Sequence, residues 1–283
     1  MNSTPISRQA GLSLIELMIA ITLSMLLMAG ALQAFLASKQ TYTTNNALSR
    51  VQESGRFAMD FLTYDIRNAG YKGECTSAPN ILLNIASSAY SVDKFDLSDA
   101  VKGWDNPAAN TPAWVTGPTK ANGDIIIIKH AANASGSRAS GNTLATASTI
   151  NLSAASNIAQ NAIIIASDPI GCDIFQNTNS TNASSISRAL AGTPGNKDPA
   201  TNNFSHTFTN SMDILTLQSA TYYIGNGANG LPALRRISYS SGAPVNEELV
   251  DGVQDMQILY GLSDVNKQIT SYETANNGGT WNA

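Results

Sequence analysis

The chain has 283 residues, of which 43% are hydrophobic and only 13% charged, with a formal net charge of −4. Sixteen basic residues against twenty acidic ones give no nucleic-acid footprint, and two histidines with two cysteines leave no constellation for an enzyme or a zinc site. Length and apolar content accommodate one membrane anchor and one sizeable soluble domain, whose Asn, Ser, Thr, Ala and Gly content suits an extracytoplasmic setting.

Residues 1–11 form a short polar leader with one cation, Arg8. From Leu12 to Leu36 there is no Lys, Arg, Asp or His, and Glu16 is the only acid. At 1.5 Å per residue this segment makes a helix of roughly 37 Å, enough to cross a hydrocarbon core of roughly 30 Å. A secretory signal places its cleavage site after the apolar run; here the small residue, Gly11, precedes it. Cutting there would leave the apolar helix on the mature chain, with a new amine on Leu12.

Gly11-Leu12-Ser13-Leu14-Ile15-Glu16-Leu17 resembles the type III leader junction of type IV pilins and type II secretion pseudopilins, with Leu12 where Phe is usual. The resemblance implies cleavage after Gly11 by a prepilin peptidase and N-methylation of Leu12. Glu16 then has two readings. It offsets its own helix dipole and terminal amine, or, as the family implies, it attracts the Leu12 ammonium of a neighbouring subunit and fixes the register of packed helices. The cost of an unpaired carboxylate at membrane depth favours the second reading.

The helical pattern continues past Leu36. Leu48, Val51, Ala58, Phe61, Leu62, Ile66 and Ala69 recur at three- and four-residue steps, no proline interrupts, and Gly70 suits a C-cap. The pattern reads residues 12–36 as a transmembrane helix, 37–70 as its amphipathic continuation and 71–283 as a β-rich head; the resemblance implies that the first is also the polymerisation segment and that the head is periplasmic. Residues 71–123, with Pro79, Pro107, Pro112 and Pro118, read as an irregular, surface-rich connection in which Trp104 and Trp114 plug the core. Strand signals follow at 124–129, 143–152, 162–166, 170–175, 212–224, 234–239 and 249–262. Between them, 131–142 and 177–203 read as solvated loops. The fold expected is α+β: a long N-terminal helix packed on an antiparallel sheet, type IV pilin-like.

Within the head, Glu53–Phe57, Asp60-Phe61-Leu62, Asp65–Tyr71, Cys172–Gln176, Tyr222-Tyr223, Pro232–Arg236 and Leu249–Gly261 resemble the PilW branch of minor pilins. That resemblance implies a role in priming type IV pilus assembly, in a tip complex with other minor pilins and a large adhesin. It also implies contacts with the major pilin, the inner-membrane assembly platform and membrane lipid, in a single-pass inner-membrane protein that later reaches the pilus tip. No cofactor is implied. A type II secretion pseudopilin and a membrane-tethered, non-polymerising binding protein are the alternatives. A further strand is expected beyond Ala283, and its absence would leave an open sheet edge.

Cys75 and Cys172 have a single pairing open to them in an oxidising compartment, with two separate buried thiols as the alternative. Other chemistry-like patterns have structural readings. Gly225–Gly230 matches GxGxxG, but Pro232 and a strand follow where a dinucleotide site needs a helix, so a hairpin turn is expected. His130 and His206 stand apart with no nucleophile pattern beside either. Asp264, Asn266 and Gln268 alternate like a calcium loop, but Ile269 occupies the glycine position.

Overall fold

The computed structural model describes residues 11–106, 111–115, 117, 123–133 and 136–275. Arg8, Pro107 and Pro118 therefore lie outside the described residues. The chain forms two compact units, residues 1–53 and 54–283.

The first unit is helical. Helix α1 (Leu14–Asn68) supplies it up to Glu53 and also supplies the opening segment of the second. An apolar window of this helix has a mean hydropathy of 2.1 and none of it is buried, so it is apolar all round and needs lipid or other helices to cover it. The few polar side chains inside it are satisfied internally. Thr22 donates to the Met18 and Ile19 carbonyls, and Ser24 donates to the Ile21 carbonyl at 2.8 Å, as a hydrocarbon environment demands.

The second unit continues with β1 (Asn80–Ile81), α2 (Val92–Phe95), β2 (Val101–Trp104), β3 (Ile125–Asn133), β4 (Thr149–Asn151), β5 (Ile163–Ser167), β6 (Cys172–Gln176) and β7 (Ser185–Ser187). It ends with β8 (Asp213–Asn226), β9 (Pro232–Ser241), β10 (Ala243–Asp251), β11 (Tyr260–Ser263) and β12 (Ile269–Glu273). The main sheet runs β1-β6-β5-β8-β3-β2, with β9 and then β10 added beside β8. Only β1–β6 is parallel. β8 is long enough to pair β5 through 213–216 and β9 through 220–226 on one edge, while its other edge pairs β3. β4 with β7, and β11 with β12, form separate two-stranded sheets.

Both faces of the main sheet are covered, which is why its central strands are continuous apolar runs rather than alternating ones. Ile125, Ile127, Ile163 and Ile165 point into one core with Phe95, Leu97, Trp104 and Tyr239. Ile126 and Ile128 point the other way, into a core with Tyr222, Leu234 and Ala58 of α1. On that second side, Ile164 and Phe175 pack with Ile150, Ile186, Phe204 and Phe208. Trp104 stacks edge-on against Trp114 at 5.5 Å, and Trp114 against Tyr239 at 5.8 Å, as core plugs do.

Four sequence expectations need correction. The stripe of α1 that meets the sheet is Ala58, Leu62, Asp65 and Ala69, whereas Ile66 is 50% exposed and Leu48 and Val51 are exposed as well. The steps 4-3-4 keep those four positions on one helical face, and Ile66 lies about 100° further round. The described residues of 71–123 are not mainly surface, because they supply β1, α2, β2 and the buried Leu82, Leu83, Phe95 and Leu97. The 177–203 stretch is a packed excursion holding β7 and the buried Asn177, Ile186, Arg188 and Asn196. Finally, the strand expected at 249–262 is the end of β10, an irregular link and β11.

Local turns match their sequence signals. Gly70 adopts φ +79° after the helix and its N–H donates to the Lys129 carbonyl at 2.9 Å. Gly227 and Gly230 close the β8–β9 hairpin. Asp264 accepts the N–H groups of Asn266 and Gln268 at 2.8 and 2.9 Å, so its carboxylate serves the β11–β12 turn.

Strand β3 ends its isoleucine run with two basic side chains on opposite faces, Lys129 towards α2 and His130 towards α1. Lys129 is fully buried, and its ammonium reaches the Val92 carbonyl only at 3.5 Å. Burial lowers its pKa to about 8, against the opposing attraction of Asp93, Asp96 and Asp99. A folded value below the unfolded one means the charged form opposes folding at pH below about 8, and the penalty fades as pH rises towards the ordinary lysine value. Lys129→Met is therefore expected to raise stability by about 1–3 kcal/mol at pH 7, with the gain shrinking as pH rises above about 8. Urea denaturation of wild type and variant across pH 6–10 checks this; a destabilised variant at pH 7 would contradict it.

Candidate assembly site

At the start of α1, Gly11 and Leu12 are exposed, Leu12 at 78%. Ser13 and Glu16 form a reciprocal pair: the Ser13 N–H donates to Glu16 Oε2 at 3.0 Å, and the Glu16 N–H donates to Ser13 Oγ at 3.2 Å. This is a capping box, and it satisfies two N–H groups that the helix cannot pair within itself. It also holds a carboxylate over the positive end of the helix dipole. The S-x-x-E spacing carried this signal in the sequence. Glu16 Oε1 stays outside the box, so the acid that caps its own helix has an oxygen left to offer a partner.

In the second unit the helix segment from Ser54 is fastened by polar contacts set into the apolar interface. Asp65, the one acid of the buried stripe, accepts a hydrogen bond from Tyr222 Oη at 2.6 Å and faces His130 Nε2 at 3.3 Å. Burial, then the bond to the Asp65 carboxylate, raise the Tyr222 pKa well above the ordinary phenol value, so it stays a donor. Beyond the helix, Cys75 is bonded to Cys172 with a Cα–Cα distance of 5.7 Å. The pairing that the cysteine count left open is thus made. The Cys75 N–H and the Lys72 carbonyl both meet Ser167 Oγ, so the segment leaving the helix is tied to β5 and β6 together. Gly73 allows that approach, because a Cβ there would lie 2.6 Å from Ser167 Oγ.

His206 pins a loop in the same manner. Its Nε2 lies 2.9 Å from Asp168 Oδ2 and its Nδ1 2.9 Å from Ser205 Oγ. Although this is a Ser-His-Asp cluster, the Ser205 N–H and hydroxyl both donate to the buried Asp173. It anchors the loop before β8 to β6. Among the described residues no group of three His, Cys, Asp or Glu side chains could hold a metal ion. Gln176, also buried, donates to the carbonyls of Asn161 and Thr193 and accepts the Gly195 N–H, knotting two loops to β6.

A long apolar helix opening on a capped acid and leading into an antiparallel-rich sheet is an α+β arrangement consistent with a pilin-like fold. Comparison with known families agrees: residues 6–32 match the prokaryotic N-terminal methylation motif, and residues 221–283 match the Type IV Pilus-assembly protein W family. Together these matches support a PilW-type minor pilin of the type IV pilus. No curated protein and no solved structure matched the chain. The second family match begins within β8 and takes in β9 to β12.

Proposed function

We propose that this minor pilin helps to initiate type IV pilus assembly, in a tip complex with other minor pilins that carries a large adhesin. In this reading a prepilin peptidase cuts after Gly11, Leu12 becomes the methylated terminus, and the apolar helix waits in the inner membrane with the head in the periplasm. Glu16 then meets the Leu12 ammonium of a neighbouring subunit, major or minor, on the assembly platform. The observation that carries the reading is the methylation motif across 6–32 joined to a fully lipid-compatible helix. The capping box adds to it, because Glu16 is held at the helix start before any partner arrives.

Three measurements test it. The mass of the mature N-terminus should correspond to a chain starting at methylated Leu12; an intact Met1 in assembled fibres would overturn the proposal. Glu16→Ala should insert in the membrane normally yet enter fibres at least about tenfold less often, because the neighbour's ammonium is left unpaired in lipid. Immunogold labelling should mark fibre ends, and uniform labelling along shafts would remove the tip assignment.

A further inference from the structure

His130 is 1% exposed and lies between two acceptors. Its Nδ1 is 3.0 Å from the Ala131 carbonyl and its Nε2 is 3.3 Å from Asp65 Oδ1. A neutral imidazole carries one N–H and would turn a lone pair towards one of these oxygens; only the imidazolium donates to both. The Asp65 carboxylate in turn is held by His130 and Tyr222, on β3 and β8, while it sits on the helix. This polar junction of the helix face with the sheet is thus complete only when His130 carries its second proton.

We propose that Asp65, His130 and Tyr222 form a protonation-gated latch that fixes residues 54–68 of α1 to the sheet and loosens when His130 becomes neutral. Solvent reaches the latch through an open groove of about 460 Å³ lined by Phe57, Phe61, Tyr64, Gln218 and Arg236 among others. The ionisable groups facing it are few. Asp60, Tyr64 and Asp65 come from the helix, and Tyr222 from β8. Arg236 comes from β9, where Glu247 of β10 pairs with it at 2.5 Å. The neighbouring Lys129 points to the opposite face of the sheet. Burial lowers the His130 pKa, but the hydrogen bonds to Asp65 and the Ala131 carbonyl and the attraction of Asp65 outweigh it, leaving a net rise. A raised folded value gives stabilisation that is complete below the ordinary imidazole pKa and is lost as pH climbs through the folded value. The latch therefore opens on the alkaline side.

The test uses the full-length protein in detergent micelles. The His130 imidazole is followed by NMR, and amide hydrogen exchange of residues 54–68, corrected for intrinsic rates, is followed from pH 5.5 to 9. Exchange should accelerate severalfold or more across a transition whose midpoint coincides with the His130 titration. His130→Gln and Asp65→Asn should each abolish that transition, while exchange in β5 and β6 stays level with pH. His130 titrating at or below the ordinary value would overturn the latch. So would an unchanged transition in both variants, or pH-independent exchange of the helix in wild type.

Discussion

Replacing both Cys75 and Cys172 by serine will lower the stability of the head by about 4–5 kcal/mol. The bond closes a loop with a sequence separation of 97, and the chain-entropy model assigns about 4.7 kcal/mol to a loop of about 100 residues. The loop encloses β1 to β5, so without the bond the unfolded chain regains freedom over most of the first half of the sheet. The folded state has local support at the same place, since Ser167 holds both Lys72 and Cys75. That support keeps the native geometry in the serine variant, so the loss comes from the unfolded state and the fold itself persists. Urea midpoints of the oxidised protein, the reduced protein and the double variant decide the matter. A drop below about 1 kcal/mol would mean that the unfolded chain stays compact across this loop.

Arg188→Ala should cost about 3–5 kcal/mol. The side chain has no exposure at all, yet its charge is well served. Nε and Nη2 donate to the Ala147 carbonyl at 3.1 and 2.9 Å, and Nη1 donates to the Asn202 carbonyl at 2.7 Å. The guanidinium also lies 4.5 Å over the ring of Phe204. Burial pulls its pKa below the usual arginine value, against attraction by Asp173, without threatening the proton. Removing it leaves two partly buried carbonyls without their donor and a cavity beside Phe204, together on the order of 3–5 kcal/mol. Arg188→Lys keeps the charge but loses the planar fork that reaches both carbonyls, so it should recover less than half of the loss. Thermal melting with limited proteolysis across 177–212 measures both variants; a lysine variant as stable as wild type would refute the role given to the fork.

The parts of this molecule legible from its sequence are those where one physical requirement dominates. A segment free of charge from Leu12 to Leu36 save for Glu16 has few ways to be stable in water, and an isoleucine run such as 125–128 has few ways to be buried other than as a strand covered on both faces. Gly70 and Gly225–Gly230 were readable because backbone freedom marks turns. What escaped was set by tertiary context. β10, with Glu247 and Glu248, lacks an apolar alternation because Arg236 and Arg235 across the strand pair satisfy its acids. β7 hides in a Ser/Asn-rich stretch whose single Ile186 does the packing. Asp65 reads as one of the polar positions between apolar ones until the sheet supplies His130 and Tyr222. The Ser13–Glu16 box was written in the sequence and needed only its spacing to be seen.

Strand β10 pairs with β9 alone among the described strands, and it is interrupted twice, between Ala243 and Val245 and between Glu248 and Val250. Such kinks, together with acids held along the ribbon, spoil the regular row of donors and acceptors that a second molecule would need for edge-to-edge annealing. Heads brought together at high local density can therefore collide repeatedly without zippering into insoluble sheets.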